Sequence, residues 1–147
     1  MNFFFKILSI QTKGLLDIID ITDQVKTLIK EAKIKDGLIN IQSFHTTATV
    51  FVNENEPLLL EDIKKHLQKI APIDGDYGHD DFEKRTINMC KDECANGHSH
   101  CKAIHLPTSV SLNIKDNKIQ LGQWQRIMFI ELDRARKREI QIQILGE

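Results

Sequence analysis

The chain has no glycine-rich phosphate loop. Neither G-x-G-x-x-G nor the P-loop pattern occurs, so the two common backbone cradles for a nucleotide diphosphate are excluded. G-x-S-x-G and H-E-x-x-H are missing as well, which removes the strained serine elbow and the zincin helix. Cysteine is scarce and odd in number: Cys90, Cys94 and Cys101 cannot build a disulfide framework, and no C-x-x-C pair supports a zinc ribbon or finger. There is no N-x-S/T sequon, and no apolar run reaches the ~20 residues of a membrane span. Charge of one sign is also missing. The net charge of −1 argues against a nucleic-acid binder and against a basic protein held on a membrane surface. The run from Arg134 to Arg138 is expected to be a solvated turn. The apolar opening Met1 to Ile10 is broken by Lys6 and leads to no small-residue cleavage site, so it reads as a first β-strand rather than a signal peptide. These features predict a cytoplasmic protein.

What is present suits one globular domain. At 147 residues, with 41% apolar and 28% charged residues, the chain can bury a sizeable core, and residues 1–147 are expected to form a single unit. Lys13-Gly14 marks a turn, and Leu15 to Asp20 a short second strand. Thr22 is placed to cap a helix whose buried stripe is Val25, Leu28, Ile29 and Ala32. A second helix is predicted from Pro57 to about Ile70, with Leu60, Ile63, Leu67 and Ile70 inward and His66 beside them at the surface or in packing. Ala71 to Asn96 is polar and turn-rich, a length of loop that is usually functional or disordered. The end of the chain is β: Thr108 to Ile114, a hairpin turn at Lys115 to Lys118 with Asn117 suited to positive φ, a long strand from Ile119 to Leu132, and a last strand through Ile140, Ile142 and Ile144. Six to eight strands with two or three helices, not in βαβ order, predict an antiparallel α+β domain with a two-layer, sandwich-like sheet core. Trp124, the only tryptophan, is expected to be buried in that core or at a subunit contact.

The stretch from Ile39 to Pro57 stands out. It reads as one strand running into the second helix, with Asn53-Glu54-Asn55-Glu56 at the junction. Alternate residues of a strand share a face, so Ser43, His45, Thr47 and Thr49 line up between Ile41 and Phe51. Two readings of His45 remain open: a half-buried histidine bonded to a neighbouring strand, or a site residue.

Metal-type ligands are concentrated later: His79, Cys90, Cys94, His98, His100, Cys101 and His105. Zinc takes such side chains in tetrahedral sets and keeps a position for water when it is catalytic. Cys90 has the alternative of a small buried hydrophobe.

His45-Thr46-Thr47-Ala48 followed by Asn53-Glu54-Asn55 resembles the H-T-S-A and N-E-N run of the YjbQ family, the proteins called secondary thiamine-phosphate synthases. The likeness continues through Tyr77-x-His79-Asp80, Asn96-x-x-x-His100, Ser109 to Ile114, Leu121-Gly122-Gln123-Trp124-Gln125 and Leu145-Gly146-Glu147. Departures are Gln123 for the usual Thr, Asn117 for Gly, and Cys94 for an acidic residue. The resemblance implies an α+β fold with a β-sandwich core, a homotrimer with sites near subunit interfaces, and a histidine-built metal site. It further implies an activity joining hydroxymethylpyrimidine diphosphate to thiazole phosphate with release of pyrophosphate. On this basis His79, His98 and His100 would bind a divalent metal, zinc before magnesium given neutral imidazole ligands. Thr46, Thr47 and Lys102 would face a phosphorylated substrate, and His45 with Glu54 would handle protons, Asn53 completing the catalytic set. Similar sequences read as a helix from Asn96 onward. There His98 and His100 would diverge by about 200° and only one could serve, which ranks His100 first. The alternative from a different class is a trimeric, metal-binding protein that holds a phosphorylated ligand without turnover.

Overall fold

A computed structural model describes all residues 1–147. The elements in order are β1 Asn2–Gln11, β2 Ile18–Asp20, α1 Thr22–Ala32, β3 Gly37–Ser43, β4 Ala48–Glu54, α2 Pro57–Ile70, a 3₁₀ turn Gly78–Asp80, α3 Gly97–Ala103, β5 Ser109–Lys115, β6 Lys118–Ile119, β7 Gln125–Glu131 and β8 Lys137–Gly146. They form a five-stranded sheet, β1-β8-β3-β5-β6, and a three-stranded sheet, β2-β7-β4. Every pairing is antiparallel. The fold is α+β, as the pattern of short strands around few helices implied.

Side-chain alternation explains the layers. Ile140, Ile142 and Ile144 of β8 turn inward while Glu139, Gln141 and Gln143 stay toward solvent, the period-2 signature of a half-buried strand. The inward set packs with Ile39, Ile41, Val50, Ile127, Phe129 and the buried stripe of α1 into the main core. Each fully buried side chain of this kind contributes about 1.5–3 kcal/mol. Met128, Ile130 and Leu132 face the other way, joining Phe51 and Leu67 of α2 in a second core. β7 is therefore covered on both faces, and its run from Ile127 to Ile130 is apolar without a break.

Three expectations are corrected. Ile39 to Phe51 is not one strand: β3 belongs to the larger sheet and β4 to the smaller, with a corner at residues 44–47. The polar side chains that looked like a strand face build that corner. Ser43 donates its hydroxyl proton to the Ala48 carbonyl (2.7 Å), and Ser43 Oγ accepts the His45 N–H (3.3 Å). Likewise Ile119 to Leu132 is broken at Gln120 to Trp124, because β6 pairs in one sheet and β7 in the other. Gln125 Oε1 accepts the Gly122 N–H and closes the turn. Trp124 falls in that turn, and in the single chain it is 65% exposed rather than in the core.

Other elements match the reading closely. Glu56 caps α2 by accepting the N–H groups of Leu58 and Leu59, with Pro57 at its first position. Asp116 and Asn117 take φ of 50° and 58°, the paired positive values of a type I′ hairpin. Thr22 is the first residue of α1 rather than its cap: Ile21 holds the cap position, and the Asp20 carboxylate just before it accepts the Thr22 N–H at 2.9 Å. No helix is long and apolar enough to cross a membrane.

Candidate functional site

The long loop returns to the body of the protein through Asp80. Its Oδ1 accepts the N–H groups of Asn96 and Gly97, each at 2.9 Å, and so holds the 3₁₀ turn against the start of α3. Gly97 is required there for space: a Cβ at that position would lie 2.5 Å from Tyr77 Cβ. This staple brings His79 beside His100, with ring centres 4.6 Å apart and planes at 62°. His79 Nε2 is buried and has no hydrogen-bond partner, and the same holds for Asn96 Oδ1 nearby in sequence to His100. Burial pushes the His100 pKa down, with the neighbouring His79 and Arg85 acting in the same direction, which favours the neutral ring.

α3 is a helix, so His98 points elsewhere. Its Nδ1 lies 3.0 Å from Lys102 Nζ and 3.2 Å from Ser99 Oγ, inside the protein. Lys102 is 0% exposed and donates to the Ala71 carbonyl at the end of α2 (2.5 Å). Two expectations fall here. His98 is not part of the His79–His100 pair, and Lys102 is sealed from any substrate. The i, i+4 spacing of His98 and Lys102 on one helix face was the signal for this internal pair. Burial pushes the Lys102 pKa below the ordinary lysine range.

His100 also borders a cleft of about 560 Å³, together with His45, Thr46, Thr49, Leu106 and Thr108. The Thr49 hydroxyl is taken by the Pro107 carbonyl, which leaves Thr46, Thr108 and the two imidazoles as polar lining. No lysine or arginine lines this cleft. Thr47, expected on the substrate side, is buried below it and accepts from Arg138 Nη2 at 3.0 Å. Arg138 in turn is paired with Glu131 through two contacts of 2.6 and 2.5 Å, and the Thr12 hydroxyl donates to the same carboxylate. Arg138 was read as part of a solvated basic run. The alternation of β8 places it inward with Ile140, which the sequence already displayed.

Glu54 and Asn53 are not at this cleft. They close β4 at the opposite end from the His45 corner, six residue steps or about 20 Å along the strand. Glu54 instead borders a shallow groove with Asn55, Gln123, Trp124 and Arg126, and Asn53 Oδ1 accepts the Glu54 N–H. Within one chain, the His45–Glu54 proton pair does not form. Cys90 and Cys101 are exposed and Cys94 partly so, all as free thiols, so the buried-hydrophobe reading of Cys90 is also corrected.

No three histidine, cysteine or carboxylate side chains converge as a metal set. Two imidazoles do fit. Rings sharing one tetrahedral zinc at ~2.0–2.1 Å have centres about 5 Å apart, close to the His79–His100 spacing, and His79 Nε2 is an unpartnered buried nitrogen of the kind a metal would take.

A two-sheet α+β domain with paired histidines behind a cleft is the class defined by this geometry. The sequence profile of the UPF0047 protein YjbQ-like family matches residues 6–147, and the chain belongs to that family. It is 33% identical over 147 residues to a UPF0047 protein of Methanothermobacter thermautotrophicus, covering 100% of this chain and 95% of the relative. A UPF0047 protein of Archaeoglobus fulgidus is 36% identical, with 94% and 98% covered. Among solved structures, a YbjQ-like protein from Sulfolobus solfataricus superposes with a TM-score of 0.86 at 31% identity, covering 99% of both chains. A YjbQ/UPF0047 family protein from Clostridium acetobutylicum gives 0.82 at 33% identity, with 95% and 99% covered.

Proposed function

We propose that the protein binds a small phosphorylated molecule in the cleft at His45, with a divalent metal, zinc, held by His79 and His100. The observation that carries this reading is the buried, unpartnered Nε2 of His79 beside the neutral ring of His100, which itself borders the cleft. Neutral imidazole is the form a transition metal requires. A bound metal would supply Lewis-acid polarisation of a phosphoryl oxygen and neutralise its charge. The chain's own groups would do the rest: Thr46 and Thr108 offer hydroxyls, and Ala103, Ile104 and Leu106 give the cleft an apolar lining.

The turnover form of this reading is the synthase reaction that the family resemblance brings, joining hydroxymethylpyrimidine diphosphate to thiazole phosphate with loss of pyrophosphate. The distance of Glu54 from His45 supports the second form, ligand binding without that transfer, because the carboxylate expected to move protons is at the other end of β4. A homotrimer is part of the proposal, supported by the exposed Trp124 and by the exposed apolar row of Phe3, Leu145 and Leu38 across β1, β8 and β3. A cytoplasmic location fits the three free thiols.

Elemental analysis tests the metal. His79→Ala and His100→Ala should each lose most of the bound transition metal, while His66→Ala, in a separate pocket against α2, retains it. Metal kept by both site variants refutes the assignment. Complementation of a strain lacking thiamine-phosphate synthase then separates turnover from binding.

A further inference from the structure

The role of His45 follows from where the larger sheet ends. Pairing between β3 and β8 stops at Ser43 and Ile140, but β8 extends back to Lys137. The N–H of Glu139 therefore has no β3 carbonyl to meet. His45 Nε2 accepts it instead, at 2.9 Å, and the imidazole continues the ladder where the strand has turned away.

An imidazole nitrogen that accepts a hydrogen bond carries no proton. The protonated ring has two N–H donors and no acceptor, so it does not fit this contact. His45 is thus the neutral tautomer with its proton on Nδ1. That nitrogen has no partner in the protein and is not among the sealed polar atoms, and the residue borders the cleft. Hydrogen bonds tie down the corner that carries the ring. Ser43 ties it to Ala48, and the Arg138–Glu131 pair holds Thr47 from below.

We propose that His45 is a fixed N–H donor to an oxyanion of the ligand, through Nδ1, and neither a general base nor a metal ligand. Both alternatives need a free lone pair, and the only one on this ring is occupied by Glu139. The ligand chemistry this selects is an anionic oxygen, a phosphate ester or a carboxylate, read by neutral donors in a cleft lined by no lysine or arginine. The assignment rests on the cleft being the ligand site.

Two measurements on the full-length protein as purified test it. Long-range ¹H–¹⁵N correlation spectra of the histidine rings report the tautomer directly. The Nδ1–H pattern is expected for His45 at neutral pH, and the Nε2–H pattern overturns the donor role. Binding of inorganic phosphate is then followed by titration calorimetry in two isosteric variants. His45→Gln keeps an acceptor for the Glu139 N–H and loses the donor toward the cleft. His45→Asn places an amide near the position of Nδ1 and gives up the Glu139 contact. Loss of one hydrogen bond to a charged oxygen predicts about 10- to 100-fold weaker binding for His45→Gln, with His45→Asn within a few-fold of the wild type. The reverse order overturns the proposal. A carboxylate probe, acetate, binding more tightly than phosphate would assign the site to carboxylates. If the tautomer is Nδ1–H but the wild type binds neither anion, the cleft reading fails and takes the donor role with it. An Nε2–H tautomer with phosphate bound sinks the donor role alone.

Discussion

Arg138 and Glu131 form a doubly bonded ion pair sealed from solvent beneath the His45 corner. Removing one charge leaves the other buried and unpaired, which costs far more than the pair itself contributes. Arg138→Met should destabilise the fold by about 3–5 kcal/mol in urea unfolding. Joining it with Glu131→Leu should recover most of that loss. A double variant no better than the single would show that the pair is more than charge compensation.

Asp20 gives the fold a sign-definite response to acid. Burial alone would raise its pKa, but hydrogen bonds from the Arg126 guanidinium, from Thr22 and from Asn55 outweigh burial and lower it from 3.8 to about 2. The folded state therefore binds this proton more weakly than the unfolded chain. The stabilisation is complete above pH ~4 and fades as the pH falls from 3.8 toward 2. Asp20→Asn should cost about 1 kcal/mol at neutral pH, since the Arg126 partner is partly exposed, and the gap to the wild type should close near pH 2. Denaturation midpoints of both proteins across that range decide it. A gap independent of pH would mean that the carboxylate charge is irrelevant.

Elements with strong local signals were readable in the sequence, and elements decided by the sheets were not. α2 announces itself by Pro57 and the stripe Leu60, Ile63, Leu67 and Ile70, and the structure gives the helix the bounds Pro57–Ile70, with Leu67 buried but Ile70 exposed at the helix end. The hairpin at Asp116-Asn117 is equally local. By contrast, nothing local tells a strand to leave one sheet for another. The parity of Ile39, Ile41, Ser43, His45, Thr47 and Thr49 suits a single long strand as well as two strands and a corner, and long-range pairing with β8 and β7 makes the choice.

The same limit governs the site. The family resemblance brought His79 and His100 forward, and the helix it implied from Asn96 onward is present as α3, which turns His98 away from the His79–His100 pair. Lys102 misled because a lysine near histidines resembles an anion contact, whereas burial against Ala71 is visible only when α2 and α3 are packed together. Glu54 misled because closeness in sequence along a strand is distance in space.

Gly97 couples the backbone to the histidine pair. A methyl group there would meet Tyr77 and force the turn carrying His79 away from α3. Gly97→Ala should lower bound metal by an amount close to that of His79→Ala while the far-ultraviolet circular dichroism stays native. Asp80→Ala, which removes the acceptor of both the Asn96 and Gly97 N–H groups, should do the same. Full metal occupancy in either variant would show that the pair does not depend on this staple.

Lys102→Met separates stability from ligand binding. The substitution keeps the length of the side chain but leaves the Ala71 carbonyl unpaired, an expected cost of about 1–3 kcal/mol. Because Lys102 is sealed, phosphate affinity should be unchanged. The lysine's lowered pKa has a second consequence. The unfolded chain holds this proton to higher pH than the folded state, so wild-type stability should gain from this group as pH rises through the alkaline range, a slope that Lys102→Met removes. A large drop in phosphate affinity would place the ammonium in the site after all.

Trp124 and the outer face of the larger sheet test the assembly. The indole is 65% exposed in the single chain, beside Glu54 and Gln123, and Phe3, Leu145 and Leu38 make an apolar row on the other sheet. A trimer should cover at least one of these surfaces. Sedimentation at micromolar concentration is expected to give three times the chain mass. Trp124→Lys and the Phe3→Glu/Leu38→Glu pair identify the contact, because the variant that charges the covered surface should dissociate to monomer while the other stays trimeric. Tryptophan emission reports independently: a blue-shifted maximum that moves red on dilution places Trp124 in the interface, and a solvent-like maximum at all concentrations leaves the sheet face as the contact. A wild-type chain that sediments as a monomer, with both surfaces bare, would remove the trimer and any site that depends on it.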